Sequence, residues 1–370
     1  MVVVTGGGTG GHIFPLISII EELRRRDVRD IVWIGRRMGE EEKWSEECGI
    51  PFFGIRAGKL RRYLSVKNLF DVINILAGFF QSYLLLKRLR PRVLFSKGGF
   101  VSVPPALAAH LLRIPVLTHE SDLSPGLATR IISRFAEVIF TSFEETRKYL
   151  NAEDVVFSGN PIRGLIKEAE PNRGKEFLGF ENDLPIVTFL GGSLGAEKLN
   201  RTVSKMVETL DIKFNIVHQC GSRKLGEKIS SIKGKVKNYR VFQFLKEHMG
   251  DVLAASDLIV SRAGAGAIYE IAYLEKPSIL IPLSRSASRG EQVLNARYFS
   301  EKRAAIYIDE EQLTPEYLYS KIIEILDDRE KLEEIGRNAR KIIKPEAEVL
   351  IVDYIVKYLN GVCVYQPREI

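Results

Sequence analysis

Short runs of β-branched and other apolar residues alternate along the chain with longer segments whose apolar positions recur every three or four residues. In the first half, the short runs predict strands at 2–4, 31–34, 52–55, 93–96, 115–118, 138–141 and 155–157. The helical periodicity between them predicts helices over 13–26, 67–89, 102–112 and 126–135. This alternation is typical of a parallel sheet with helices on both faces.

The same alternation begins again at "LPIVTFLGG" and ends in two predicted helices, over about 330–343 and 346–360. Between the halves lies "SGNPIRGLIKEAEPNRGKE", which is rich in Gly, Pro and charge and predicts a domain boundary near Pro161. We therefore expect an α/β protein with two Rossmann-like, doubly wound parallel-sheet domains, 1–160 and 161–345.

The composition limits the classes of binding partner and of site that the chain is expected to have. The 370 residues carry a net charge of +7, which favours anionic partners such as nucleotides, phosphorylated substrates or anionic lipid. Three cysteines lie far apart without a CxxC, and the five histidines show no metal-ligand spacing. Neither a disulfide framework nor a metal site is predicted.

Three glycine-rich turns each follow a predicted strand and open a helix: "TGGGTGGH" at 5–12, "LGGSLGAEKLN" at 190–200 and "SRAGAGAIYE" at 261–270. Ligands of doubly wound sheets bind at the carboxyl ends of strands. Glycine lets the backbone approach a phosphate, and a helix N-terminus offers N–H groups. Three such loops in two similar halves predict phosphate-ligand sites rather than plain turns.

The common sequence motifs of dinucleotide- and triphosphate-binding sites fit these three loops poorly. The first loop satisfies GxGxxG, but the second strand ends in Arg36 and Arg37, where an NAD site needs an acid. Arg36 leaves an NADP site open, and none of the loops ends in the GK[ST] of a Walker A motif. Glu270, after the third loop, is placed to accept the ribose hydroxyls of a bound nucleotide.

Two polar positions are candidates for proton transfer. His12 begins a helix inside the first glycine loop, and imidazole titrates near neutrality. The turn "THESDLSPG" adds His119, Glu120 and Asp122 directly after a strand. For His119, a structural role is favoured over a catalytic one.

These motifs resemble those of the MurG family, the GT-B glycosyltransferases that complete lipid II in peptidoglycan synthesis. The resemblance runs almost end to end, through "GGGTGGHIFP", "SKGGFVSVPPALAA", "HESDLSPGLA", "SGNPIR", "LGGSLGAEKLN", "SRAGAGAIYEIA" and "RGEQVLNA". It implies two domains that face across a cleft, with the segment 346–370 packed back on the first. It also implies inverting, metal-independent transfer of N-acetylglucosamine from UDP-GlcNAc to the 4-hydroxyl of the N-acetylmuramoyl unit of lipid I, without a cofactor.

The resemblance implies roles for matching positions. The acceptor diphosphate would lie against Gly7, Gly8, Gly98 and Gly99. The donor would be bound by Thr9, Gly10, Gly11, Arg163, Ser193, Leu245, Gly264, Ala265, Glu270 and Gln292. The general base stays open between His12 and Asp122, because this chain has HESD where many relatives have HEQN.

The segment 59–92 combines two apolar helical stripes with flanking Lys and Arg residues. Such a segment suits contact with an anionic membrane surface. We expect a peripheral protein on the cytoplasmic face of the cell membrane, with other cell-wall synthesis proteins as further partners and no nucleic-acid partner.

Two other functions remain open. A UDP-GlcNAc 2-epimerase shares the two-domain fold but leaves the basic, apolar segment unexplained. A non-catalytic nucleotide-sugar sensor would have lost its base, whereas His12, Asp122, Glu270 and Gln292 are all present.

Overall fold

A computed structural model describes residues 1–58, 66–152, 154–192, 195–221, 236–284 and 290–361, with only the backbone for 66–70. The chain forms two compact units: Met1–Ile162 with Lys344–Ile370, and Arg163–Ile343. These boundaries differ by two residues from the expected 160/161 and 345/346.

In the described part of the first unit, seven parallel strands pair in the order β3-β2-β1-β4-β5-β6-β7. Their bounds are Val2–Thr5 (β1), Ile31–Arg36 (β2), Phe52–Ile55 (β3), Val93–Ser96 (β4), Val116–Glu120 (β5), Val138–Thr141 (β6) and Val155–Phe157 (β7). The helices are Gly10–Arg25 (α1), Glu40–Glu47 (α2), Val66–Leu89 (α3), Val103–Leu111 (α4) and Leu127–Ile132 (α5).

Alternate strand residues enter two different cores, which is why these strands read as continuous apolar runs. Val2 and Val4 pack with α1 on one face, whereas Val3 and Leu94 pack with α4 on the other. The helices after β1 and β4 therefore cover opposite faces of the sheet.

The described part of the second unit contains six parallel strands in the order β10-β9-β8-β11-β12-β13. They are Ile186–Leu190 (β8), Asn215–Gln219 (β9), Tyr239–Phe242 (β10), Leu258–Ser261 (β11), Ser278–Leu280 (β12) and Ile306–Tyr307 (β13). The helices are Gly164–Lys167 (α6), Pro171–Leu178 (α7), Glu197–Thr209 (α8), Met249–Ala255 (α9), Ala265–Tyr273 (α10), Glu291–Glu301 (α11), Pro315–Leu326 (α12) and Arg329–Ile342 (α13).

The last described helix, Ala347–Leu359 (α14), belongs to the first unit. Its buried face joins the core beneath α1, and Arg26, the residue that follows α1, donates to Asp353 of α14 at 2.9 Å. The buried Glu348 carboxylate accepts from the Ile162 N–H at 3.4 Å. The chain thus returns from the second unit to complete the first.

Candidate active site

The order of strands creates a crevice at the centre of the first sheet. β1 and β4 are neighbours, and the helices that follow them leave to opposite faces, which opens the space above the carboxyl ends of the two strands. The loops 6–9 and 97–99 lie there, and the Lys97 N–H donates to the carbonyl of Thr5, the last residue of β1, at 2.8 Å. A Cβ at Gly99 would lie 2.8 Å from the Gly7 carbonyl oxygen. The two predicted acceptor loops are therefore in contact.

The first glycine loop wraps around a buried carboxylate that the sequence did not reveal. Glu41, on α2, is fully buried and accepts from the Arg36 N–H at 2.8 Å and the Gly8 N–H at 3.4 Å. A Cβ at Gly7, Gly35 or Gly39 would lie about 2.6 Å from this side chain. Part of the glycine requirement here thus comes from packing. The N–H of Gly8, predicted to face the acceptor diphosphate, is directed at Glu41.

His12 lies in the first turn of α1 and faces the second glycine loop. Its Nδ1 is 3.2 Å from the Lys97 carbonyl oxygen. Because a carbonyl only accepts, a neutral ring in this bond carries its proton on Nδ1 and has its basic lone pair on Nε2. A Cβ at Gly99 would come within 3.1 Å of the ring, and Gly98 and Gly99 both have positive φ. Glycine is needed at 99 for the imidazole to fit.

The remaining positions of the first loop form the start of α1. Thr9 is its N-cap residue, with extended backbone and no cap hydrogen bond from its side chain. Thr9 and Gly11 are exposed and Gly10 is partly exposed. All three residues are therefore accessible to the sugar-nucleotide donor that they are predicted to bind.

The turn after β5 is ordered by Glu120. This nearly buried carboxylate accepts from the N–H groups of Asp122 and Gly126, both at 3.0 Å. It fixes the loop that carries Asp122, up to Gly126, the residue before α5. Asp122, the second candidate base, is partly buried at the same carboxyl edge of the sheet as His12.

His119 is buried and hydrogen-bonded to the backbone. It is fully buried, and its Nε2 donates to the Gly159 carbonyl at 2.9 Å. Burial, reinforced by the nearby Lys97 charge, lowers the pKa of His119 well below its ordinary value. The structural role favoured from the sequence agrees with this geometry.

Lys97 is the second residue that sequence reasoning missed. Its side chain is buried, and Nζ donates to the Ser121 hydroxyl at 2.5 Å. Burial lowers the pKa of Lys97 to about 8, although the charges of Glu120 and Asp122 act in the opposite direction. One feature of the sequence could have indicated this residue: a lysine between an apolar strand and two glycines is not in the polar context that is usual for a surface lysine.

In the second unit, two predicted donor residues are paired with each other. Arg163 Nε and Nη2 donate to the two Glu270 carboxylate oxygens, both at 2.6 Å. Burial alone would lower the pKa of Arg163, but the charge and hydrogen bonds of Glu270 raise it above its ordinary value. Each carboxylate oxygen has a further lone pair for a ribose hydroxyl, so the pairing orients Glu270 without exhausting it.

The third glycine loop is open. Gly264 is the N-cap residue of α10, and a Cβ at Gly264 or Gly266 would meet nothing within 4 Å. Ala265, the first residue of the helix, is almost completely buried. Unlike the first loop, this one is not filled by its own protein, which suits a helix N-terminus that receives an anion.

Leu245 and Gln292 are held by loop contacts. The Leu245 N–H donates to Gln219 Oε1 at 3.1 Å, and its carbonyl accepts from the His248 N–H at 3.0 Å. The Leu245 carbonyl oxygen has a second lone pair, which can accept one further hydrogen bond. Gln292 Oε1 accepts from the Leu283 N–H at 3.2 Å. Ser193 lies outside the described residues.

Within the described ranges, no three His, Cys, Asp or Glu side chains are grouped as metal ligands.

Comparison with known proteins identifies the family. Residues 2–141 match the model of the glycosyltransferase family 28 N-terminal domain, and residues 186–350 match that of its C-terminal domain. The chain belongs to glycosyltransferase family 28. The first match covers strands β1 to β6 and the second covers β8 to β13, and the expected GT-B fold is confirmed.

Similarity to curated relatives extends over most of the chain. A Bacillus cereus protein is 43% identical over 89% of this chain and 92% of its own length. A Treponema pallidum protein is 45% identical over 91% and 90%. Both are named UDP-N-acetylglucosamine–N-acetylmuramyl-(pentapeptide) pyrophosphoryl-undecaprenol N-acetylglucosamine transferase. The resemblance to MurG proteins is therefore confirmed.

Solved structures agree on the fold. The crystal structure of Acinetobacter baumannii MurG matches with a TM-score of 0.75 and 27% identity, covering 96% of this chain and 99% of that one. A putative UDP-N-acetylglucosamine 2-epimerase from Listeria monocytogenes matches with a TM-score of 0.72 at 13% identity, covering 100% and 99%. The fold alone does not separate transferase from epimerase, whereas sequence identity does.

Proposed function

We propose that this family 28 enzyme transfers N-acetylglucosamine from UDP-GlcNAc to the 4-hydroxyl of the N-acetylmuramoyl unit of undecaprenyl-pyrophosphoryl-MurNAc-pentapeptide (lipid I), giving lipid II. The observation that carries the proposal is sequence identity of 43–45% over about nine tenths of the chain to relatives named as that transferase. The crevice at β1 and β4 supplies a basic lone pair on His12 beside two backbone loops.

The reaction is a single displacement. The acceptor 4-hydroxyl attacks the anomeric carbon, the bond to the UDP oxygen breaks, and the hydroxyl proton passes to a base. His12 is the first candidate, because the Lys97 carbonyl fixes its proton on Nδ1 and directs basicity to Nε2. Asp122 is the alternative, held in place by Glu120.

Most of the proposed donor contacts lie in the second unit. The open N-terminus of α10, at Gly264 and Ala265, suits the diphosphate. Arg163 contacts the same helix through Glu270. Glu270 accepts the ribose hydroxyls while Arg163 holds its orientation. Charge that develops on the departing diphosphate is stabilised by these fixed donors, which requires no metal ion.

The protein acts as a peripheral enzyme at the cytoplasmic face of the membrane. Residues 71–89 of α3 form a helix long and apolar enough to cross a membrane, and 17% of its most apolar window is buried. Phe79, Tyr83 and Leu86 pack into the first unit. Ile73, Leu76, Phe80 and Leu84 on the outer face are 52–67% exposed.

Because one face of α3 packs on the protein, the helix is suited to lie on a bilayer rather than span it. Lys87, Arg88 and Arg90 follow the exposed stripe and suit anionic headgroups. The residues Lys59, Arg61 and Arg62, part of the same prediction, lie outside the described ranges.

The test is UDP release from UDP-GlcNAc, measured with and without a lipid I analogue and with EDTA present. We expect release only with the acceptor and no loss of rate in the chelator. Release without acceptor, accompanied by N-acetylmannosamine, would instead establish the epimerase. Binding of UDP-GlcNAc without turnover would establish a sensor.

A further inference from the structure

Lys97 connects the three segments that carry the candidate proton-transfer groups. Its N–H donates to the Thr5 carbonyl, where the first glycine loop begins, and its carbonyl accepts from His12. Its ammonium donates to Ser121, the residue before Asp122. One residue therefore contacts the β1, β4 and β5 ends of the crevice.

The ammonium of Lys97 cannot reach a substrate from this position. The residue is 1% exposed, with its Cβ packed against Gly6. Its hydrogen-bond partner, Ser121, donates in turn to Asn160 Oδ1 at 3.1 Å, which also accepts from Ser142 at 3.4 Å. The charge sits at the end of a buried polar network, so any effect on the reaction must pass through neighbouring residues.

A buried, uncompensated charge is unfavourable, and an apolar side chain of the same shape is often more stable. The neighbours of Lys97 offset that penalty in part, because Glu120 and Asp122 attract its charge. The other titratable groups near Lys97, His119 on β5 and His12 on α1, do not attract its charge. The cation at this point thus interacts with Asp122, and the backbone carbonyl of Lys97 contacts His12, the other candidate base.

We propose that Lys97 is a positioning residue for the transfer reaction: through its carbonyl it orients the His12 ring, and through its ammonium it fixes the Asp122 turn and sets the charge around both. The inference rests on the proposed function. The covalent chemistry is unchanged, and Lys97 transfers no proton itself.

Two variants separate the hydrogen bond between Lys97 and Ser121 from the positive charge of Lys97. Lys97→Met removes both at nearly constant volume, whereas Ser121→Ala removes the hydrogen bond and leaves the ammonium. Lys276→Met is the control, because burial lowers the pKa of Lys276 too, although this lysine is only half-buried and lies before β12 in the second unit.

The experiment measures kcat, KM for UDP-GlcNAc and for a lipid I analogue, and the pH profile of kcat/KM. We expect Lys97→Met to lower kcat about 10- to 100-fold with the donor KM within twofold, because misplacement of reacting groups acts on kcat. Loss of a nearby positive charge eases protonation of either candidate base, so the acidic limb should move up by about one pH unit.

Ser121→Ala should lower kcat roughly five- to tenfold, by the same loss of placement, and leave the acidic limb where it is. Lys276→Met should match the wild type. If Lys97→Met does not fold, Ser121→Ala decides: unchanged kcat overturns the proposal.

Unchanged kcat and pH profile in folded Lys97→Met would likewise overturn the proposal. A fall in kcat accompanied by a rise of the same size in the KM for UDP-GlcNAc would also overturn it. A wild-type protein that gives no disaccharide overturns the proposed function itself, and the role of Lys97 with it. An active wild type with an unaffected Lys97→Met overturns only the role of Lys97.

Discussion

Glu41 shows how one side chain determines the conformation of a loop. Gly7 is far in sequence from Gly35 and Gly39, yet all three leave room for the same carboxylate. The sequence motif indicated a phosphate loop, which explains glycine by ligand approach. Packing around a buried acid is a second reason that a single sequence does not reveal, since it depends on where α2 docks.

Glu41→Gln should lower the free energy of unfolding by about 1–3 kcal/mol. The carboxylate accepts from two N–H groups, and an amide must point its NH2 at one of them. Urea denaturation followed by circular dichroism measures the loss. Glu46→Gln, exposed on the same helix, should stay within about 0.5 kcal/mol of the wild type. Equal effects of the two substitutions would contradict this description of the loop.

Lys97→Met should be more stable than the wild type at pH 7, by on the order of 2 kcal/mol. The pKa of Lys97 falls from 10.5 to about 8 in the folded protein. Between these values the unfolded chain binds more protons, so wild-type stability rises with pH there.

The advantage of Lys97→Met should therefore be greatest below pH 8 and shrink between pH 8 and 10.5. Urea midpoints of both proteins across this range check the sign. An advantage that grows with pH would show that Lys97 is not destabilised by burial.

At the scale of the element, α3 presents two faces with different environments. The apolar stripes in the sequence do not say which one meets the protein. The structure assigns Phe79 and Leu86 to the core and leaves Leu76, Phe80 and Leu84 exposed. An exposed stripe of this size on one helix is typical of an interaction surface.

Phe80→Glu combined with Leu84→Glu should reduce binding to vesicles containing anionic lipid by at least about tenfold, because burial of each side chain contributes roughly 1.5–3 kcal/mol. Sedimentation with vesicles measures binding. Leu184→Glu, an exposed leucine of the second unit, serves as the control. Turnover of a water-soluble acceptor should not change in either protein. Undiminished vesicle binding would place the membrane contact elsewhere.

Local patterns predicted most elements. Val2–Thr5 and Val93–Ser96 are read correctly because strands buried on both faces are apolar throughout. The start of α1 at Gly10 was missed by three residues, because glycine is a poor helix former and gives no periodic signal. Contacts distant in sequence were not predictable: Arg163 meets Glu270 across 107 positions, and Lys97 meets Ser121 only through strand order.

At the scale of the whole molecule, the chain leaves the first unit after Ile162 and returns at Lys344. The returning helix α14 places Ile351, Val352 and Ile355 in the core beneath α1. The unit that contains the crevice thus draws part of its core from α14. The glycosyltransferase fold is shared with epimerases, so the whole-chain architecture leaves the reaction to be settled by its product.

Ile351→Ala should lower the free energy of unfolding of the first unit by about 2–5 kcal/mol, through lost burial and a cavity. Hydrogen exchange of β1 and β4 amides reports this unit separately. Lys357→Ala, exposed on the same helix, should have little effect. Unchanged exchange in Ile351→Ala would mean that α14 does not support this sheet.

The most direct test of the central claim is the structure of the product. UDP-GlcNAc and a lipid I analogue are incubated with the enzyme, and the product is analysed by mass spectrometry and proton NMR. A GlcNAc-β-1,4-MurNAc disaccharide, with the large anomeric coupling of a β-linkage, is the predicted result. An α-linkage would contradict inversion, and N-acetylmannosamine with an intact acceptor would contradict the transferase.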